Sequence, residues 1–271
     1  MRVFLRTTLF GLIISFSPAL AALEMDQSLF DRIVTAAERL YHREFHRHDQ
    51  RLNISARWDA DGVYANAWKM EDANGEKGLI MISGGLARHP DMTPDAFALV
   101  LCHEIGHHIA GPPHLWRFSA EGQSDYFGAS SCLRKLFIRM GDALPASRQH
   151  APKRVREACA QAFSHQQGRQ GCQRIALAGA TLARYFARKR GQLSPLFSRP
   201  AQSSVSSTLL TPATPQCRLD TYFAAAQCNV ARQPLDHPEP SWLCLADDFP
   251  EAARPPCWYK QAVAAHRVRR P

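Results

Sequence analysis

The sequence predicts an α+β fold that is mainly helical, with a small antiparallel sheet and a disulfide-stapled C-terminal appendage. Three observations carry this. Apolar residues recur at helical spacing over 26–51, change to strand-like runs over 52–83, and return to helical spacing from residue 94. Helix-start and turn signals separate these stretches. All eight cysteines lie beyond residue 100, and half of them fall after residue 216. At 271 residues and 45% hydrophobic, the chain can bury one sizeable core, which excludes global disorder.

The first residues stand outside the fold argument. Arg2 and Arg6, the apolar run Thr7–Phe16, Pro18, and the small residues Ala19 and Ala21 read as a secretory signal peptide over 1–21. The run is too short to span a bilayer, and no transmembrane segment is expected in the mature chain: Ile175–Ala183 is apolar but bracketed by Arg174 and Arg184. Export sets the meaning of the charge. The net charge is +9, which outside the cytosol implies weak contact with anionic envelope surfaces. Nucleic acid is not an expected partner, because no basic run is interleaved with aromatic residues. Export also makes Cys102, Cys132, Cys159, Cys172, Cys217, Cys228, Cys244 and Cys257 disulfide candidates. The pairing that closes the shortest loops is 102–132, 159–172, 217–228 and 244–257. None of these cysteines has the CxxC spacing of a metal or redox site.

Asp26–Arg51 reads as a helix, with Leu29, Ile33, Ala36, Ala37, Leu40 and Phe45 near 3.6 spacing. His42 and His46 near its end have no acidic partner and read as a solvated face. Leu52–Trp58, Val63–Met70 and Gly78–Ser83 read as strands joined by DADG and EDANGEK, an antiparallel meander. Thr93-Pro94-Asp95 opens a helix over Pro94–Ile109: Thr caps, Pro suits the first position, and Asp complements the positive helix end. Gly111-Pro112-Pro113 stops it. A second helix is expected from about Ser119 to Met140, and one or two more over Pro152–Arg190, interrupted near Gly168–Gly171. Leu193–Gln216, rich in Ser, Thr and Pro, reads as a linker or extended surface loop. The plan is a main domain over 22–192, a linker over 193–216 and a cysteine-rich appendage over 217–271.

Residues 103–107 read His-Glu-Ile-Gly-His and fall late in the helix capped at Thr93. Spacing of four puts His103 and His107 on one face, able to reach the same ion. A step of one turns Glu104 about 100° round the helix, so it can face water at the metal and act as general base. A third ligand is needed. His114 is one residue late for the HExxHxxGxxH pattern. Asp125 is possible. Glu121 fits better, since Glu121 and Asp125 lie one turn apart and can divide into ligand and support for a ligand histidine. Tyr126, His165 and arginines of the later helices are candidates to stabilise an oxyanion.

Leu99–Ala110 (LVLCHEIGHHIA) followed by Glu121–Gly128 (EGQSDYFG) resembles the gluzincin metallopeptidases, in the branch of HtpX and the CAAX prenyl endopeptidases, whose pattern is HExxH followed by ExxxD. Ile80–Leu86 (IMISGGL) and Asn66-Ala67 resemble that branch too. The resemblance covers about 52–140. It implies a zincin-like domain over 22–192 with one zinc per chain, held by His103, His107 and Glu121. It further implies Glu104 as general base, Asp125 behind the ligands, and the strand at 79–83 as the edge on which an extended substrate pairs. The chain departs from the best-known members in its short His107–Glu121 spacing, its lack of transmembrane helices and its cysteines at 102 and 132, the last read as a bond tying the zinc helix to the next.

The expected function is therefore an exported zinc endopeptidase acting on unfolded or extended protein or peptide, in the bacterial periplasm or secreted. The alternative is a non-hydrolytic envelope chaperone or scaffold retaining structural zinc. Glu104 favours the first, because a structural site needs no base.

Overall fold

The computed structural model describes residues 25–73, 75–146, 149–229, 243–246 and 249–261, so the expected signal peptide lies outside the described residues. Helix α1 (Gln27–Arg47) begins where Asp26 Oδ1 accepts the Leu29 N–H at 2.7 Å. Its Leu29, Phe30, Ile33, Val34, Ala37, Tyr41 and Phe45 form a buried stripe at the spacing the sequence shows. His42 and His46 stay exposed on the opposite face.

The fold is α+β as expected, but the meander is corrected. Strand β3 (Gly75–Ser83) lies in the middle, antiparallel to β2 (Ala65–Asp72) on one side and parallel to β1 (Gln50–Arg57) on the other. Two physical reasons stand out. Ile80 and Ile82 make β3 the most buried strand, and a central position covers both its edges. The 58–62 loop is also pinned across the end of β3: Gly85 N–H donates to Ala60 O at 2.7 Å, and Arg88 donates to Trp58 O at 2.6 Å. The chain leaving β1 is thus held away from a tight return. The strand at 79–83 is therefore not an edge; the edges are β1 and β2.

After a short helix α2 (Gly84–Ala87), helix α3 (Pro94–Ile109) starts at its expected residue, with Thr93 Oγ1 accepting the Ala96 N–H at 3.2 Å. Asp95 does more than complement the helix end: it is buried and takes two hydrogen bonds from Arg174 at 2.7 and 3.0 Å. Helix α3 is buried nearly all round and forms the centre of the core. A small hairpin follows, β4 (His114–Leu115) with β5 (Phe118–Ser119). The second helix is one continuous run in three parts: α4 (Glu121–Phe127), a π-turn over Gly128–Cys132, and α5 (Leu133–Met140).

Two helices, α6 (Lys153–Ala162) and α7 (Gln166–Lys189), follow. The break falls at 163–165 rather than at Gly168–Gly171, because His165 Nδ1 accepts the Gly168 N–H at 3.0 Å and caps α7 there. Helix α8 (Pro215–Gln227) opens the tail, capped by Thr214 Oγ1 at 3.3 Å from Cys217 N. Its Tyr222, Ala225 and Ala226 join the main core, as does Leu243 beyond it.

Cys102–Cys132 and Cys159–Cys172 pair as expected, but the tail pairs Cys217–Cys257 and Cys228–Cys244. The shortest-loop pairing fails because Cys217 and Cys228 stand at the two ends of α8. At 1.5 Å per residue those ends are roughly 16 Å apart, beyond the roughly 7 Å limit between bridged Cα atoms. Among the described residues no helix is long and apolar enough to cross a membrane.

Candidate metal centre

Helix α3 presents His103 and His107 one turn apart, their ring centroids 4.6 Å from each other. Helix α4 crosses it closely enough to bring Glu121 between them. Two glycines permit that approach: a Cβ on Gly106 would stand 3.0 Å from Ser124 Cα, and one on Gly128 would stand 3.3 Å from the His103 backbone nitrogen. The Cys102–Cys132 bond fastens the crossing. As a result Glu121 Oε2 lies 3.5 Å from His103 Nε2, and Oε1 lies 3.6 Å from His107 Nε2. The ligand atoms of His103, His107 and Glu121 all fall within 4.8 Å of one another, a group able to hold a metal ion.

Both imidazoles are held from behind through Nδ1, leaving Nε2 for the ion. His107 Nδ1 is 2.9 Å from Ser119 O, an acceptor only, so Nδ1 carries the proton; Ser124 Oγ is 3.1 Å away. His103 Nδ1 is 2.8 Å from Asp125 Oδ1. That oxygen also accepts from Arg218 Nη2 and from Tyr222 OH, each at 2.6 Å, and Asp125 is only 1% exposed. The Arg218 guanidinium in turn lies 4.1 Å from the centre of the Phe186 ring.

These neighbours set the charges. Burial alone would raise the Asp125 carboxyl, but Arg218 and His103 outweigh it and hold it well below the usual carboxylate range. Burial pulls His103 down, yet Asp125, Glu121 and Glu104 together keep it above its ordinary value. His107 is pushed down to about 4 by burial and by His103 beside it. Glu104 is pushed up to about 7, first by burial and then by Glu121 and Asp125, against His103 and Arg218.

Glu104, His103, His107 and Glu121 line one cavity of about 890 Å³. The strand β2, the hairpin and α7 form its walls, with Leu86, Val100, Leu182 and Phe186 supplying apolar surface. Leu210, Thr211 and Pro212 form another wall, and Leu210 O accepts the Glu121 N–H at 3.3 Å. The Ser/Thr/Pro-rich segment thus borders the cleft and satisfies a helix start that has no side-chain cap.

Of the other sequence candidates, His114 is exposed on β4 and stands outside the ligand group. Tyr126 is buried, donating to Ala252 O at 2.6 Å, and does not reach the cleft. His165 caps α7 and borders a different cavity. Neither of these two can stabilise an oxyanion here. His108 packs against Phe45 and Phe118 rather than joining the ligands. Sequence reasoning missed Arg218, Tyr222, Ser119 and Ser124. Arg218 and Tyr222 did leave a signal: Thr214-Pro215 repeats the helix start of Thr93-Pro94, with an Arg-x-x-x-Tyr pair one turn apart just inside it. Searches against protein-family models, curated proteins and solved structures find no match to this chain.

Proposed function

We propose that this chain is an exported zinc-dependent endopeptidase of gluzincin type, working in the bacterial periplasm. The observation that carries the reading is Glu104, a buried carboxyl near pKa 7, facing one cleft with a three-donor His-His-Glu group. A general base works best with a pKa near the operating pH. A purely structural zinc usually takes four protein ligands, whereas three converge here among the described residues. The four disulfides suit an oxidising compartment.

His103 and His107 would hold zinc through Nε2, and Glu121 through a carboxylate oxygen. Zinc, when bound, supplies a Lewis acid and lowers the pKa of a water to about 7. Glu104 takes the proton from the attacking water as its oxygen adds to the peptide carbonyl carbon. It then delivers that proton to the amide nitrogen as the C–N bond breaks. Asp125 keeps His103 in the tautomer that points Nε2 at the ion. The free edge of β2, which borders the cleft, offers backbone groups to an extended substrate. This replaces the pairing edge expected at 79–83.

Metal analysis of the purified mature protein tests the reading together with an unfolded-protein cleavage assay. One zinc per chain is expected. Glu104→Gln is expected to keep the metal and lose about 10²–10⁴-fold in turnover, the usual worth of general-base catalysis. Wild-type turnover in that variant removes Glu104 from its role.

A further inference from the structure

Trp116 sits at the tip of the β4–β5 hairpin with φ of 60° and is 91% exposed. The left-handed region is costly for a bulky residue, and Gly or Asn is the usual occupant. Such exposure gives no burial in return. A two-residue hairpin loop requires a positive φ at its first position, so the turn explains the backbone; neither packing nor turn chemistry explains why a Trp occupies it, and strain of this kind gathers at functional sites.

The hairpin is fixed relative to the metal group. Arg117 pairs with Glu76 of β3, the Phe118 ring lies 6.2 Å from the His107 ring, and Ser119 O accepts from His107 Nδ1. Trp116 therefore holds a set position at the mouth of the same cavity. Val63, Trp68 and Leu115 line that cavity as well and are 42%, 54% and 37% exposed. Single exposed apolar side chains are ordinary, but four around one catalytic-looking cleft mark a binding surface. Trp68 lies on β2, whose outer edge is unpaired in the sheet, and successive side chains there alternate between faces.

We propose that Trp116 and Trp68 form an apolar clamp on the substrate away from the scissile bond, selecting extended polypeptide with an aromatic or large aliphatic side chain at that point. Folded proteins bury such segments, so the substrate class is unfolded chain rich in these residues. The proposal rests on the cleft being the substrate-binding site named above. The edge of β2 beside Trp68 argues for a peptide rather than an anionic lipid surface, because the backbone N–H and C=O groups along it match an extended polypeptide and not a headgroup or acyl chain.

The test uses the full-length mature chain with Glu104→Gln, zinc-loaded, and two fluorescent twelve-residue peptides differing by one Phe-to-Ser exchange. Tight binding of the Phe peptide is expected, and Trp116→Ala should cut the Phe/Ser preference about tenfold, the scale of one apolar contact. Trp116→Phe should restore most of it. Zinc occupancy checks the hairpin, because Ser119 O holds His107. Equal loss on both peptides, or an unchanged preference, overturns the proposal. So does Trp116-dependent binding to phosphatidylglycerol vesicles without peptide preference, or dimerisation abolished by Trp116→Ala. If the peptides bind with the expected preference while the Glu104 chain cleaves neither, the endopeptidase reading fails and the clamp stands. If cleavage occurs and Trp116→Ala changes no preference, the clamp fails and the endopeptidase reading stands.

Discussion

Removing Cys217–Cys257 should damage the metal centre, while removing Cys159–Cys172 should not. The first bond closes a separation of 40 residues and the second 13. On the chain-entropy account these correspond to about 4 and about 3 kcal/mol of stability, so the two Cys→Ser pairs are destabilised to similar extents. Their effects on the site differ. Cys217 precedes Arg218, the cation on Asp125. Cys257 precedes Trp258, whose indole lies directly over Gly122 and leaves no room there for a Cβ. Residues 205 and 209 hydrogen-bond to Pro256 O and Trp258 O, which fixes the segment whose Leu210 O holds the Glu121 N–H. Support for both Glu121 and the His103 anchor converges on one disulfide. Cys217→Ser/Cys257→Ser should therefore weaken zinc about 10–100-fold, the scale seen when groups behind metal ligands are lost, or about 1.4–2.7 kcal/mol. The assay is competition against a chromophoric zinc chelator, with urea melts for stability. Equal zinc affinity in the two pairs refutes the convergence, as does an equal loss in both.

The third ligand can be assigned by zinc titration of three variants: Glu121→Ala should lose zinc severely, Asp125→Asn about 10–100-fold, and His114→Ala scarcely at all. Loss in His114→Ala with retention in Glu121→Ala would move the site into the hairpin. Zinc affinity should also fall on acidification. His103 titrates above its ordinary 6.5, and the ion must displace that proton, so the decline begins above pH 6.5 and steepens toward about tenfold per pH unit. Affinity that is flat down to pH 5.5 would exclude His103 as a ligand.

Local signals were legible where the chemistry is local. Thr93-Pro94 placed α3 to the residue, and HEIGH on that helix gave two histidines of the candidate metal group and the proposed base, because periodicity and capping need no knowledge of distant chain. Glu121 and Asp125 were legible through their one-turn spacing. What the residues alone could not show was pairing at long range. The centre of the sheet went to β3 as its most buried strand, with a loop clamp by Gly85 and Arg88 holding the chain that leaves β1 away from a tight return, and no strand pattern encodes that clamp. The tail reads as a separate appendage because its cysteines and prolines dominate its composition. Yet Thr214-Pro215 starts a helix whose Arg218 lies against Asp125, 93 residues earlier. A boundary drawn at 216/217 cuts that helix from its own cap, and helix geometry across 217–228 would have excluded the pairing of those two cysteines.

Three carboxylates of one chemical kind meet around the two histidines, and their partners divide the work. Asp125 is fixed as an anion, with Arg218 and Tyr222 on one oxygen and His103 beside it. Glu121 faces both Nε2 atoms and is placed for the ion. Glu104 has no such lock; burial and its two acidic neighbours bring it to about 7, where a proton can come and go. One guanidinium against three carboxylates leaves a double negative charge when both imidazoles are neutral. Burying such an excess is unfavourable, and the side chains answer by binding protons, at His103 and then at Glu104. A divalent cation cancels the same charge through the Nε2 and Glu121 atoms. The proposed division into anchor, ligand and base thus follows from environment acting on identical groups, and it is the tail, through Arg218, that holds Asp125 as an anion and leaves the raised carboxyl to Glu104.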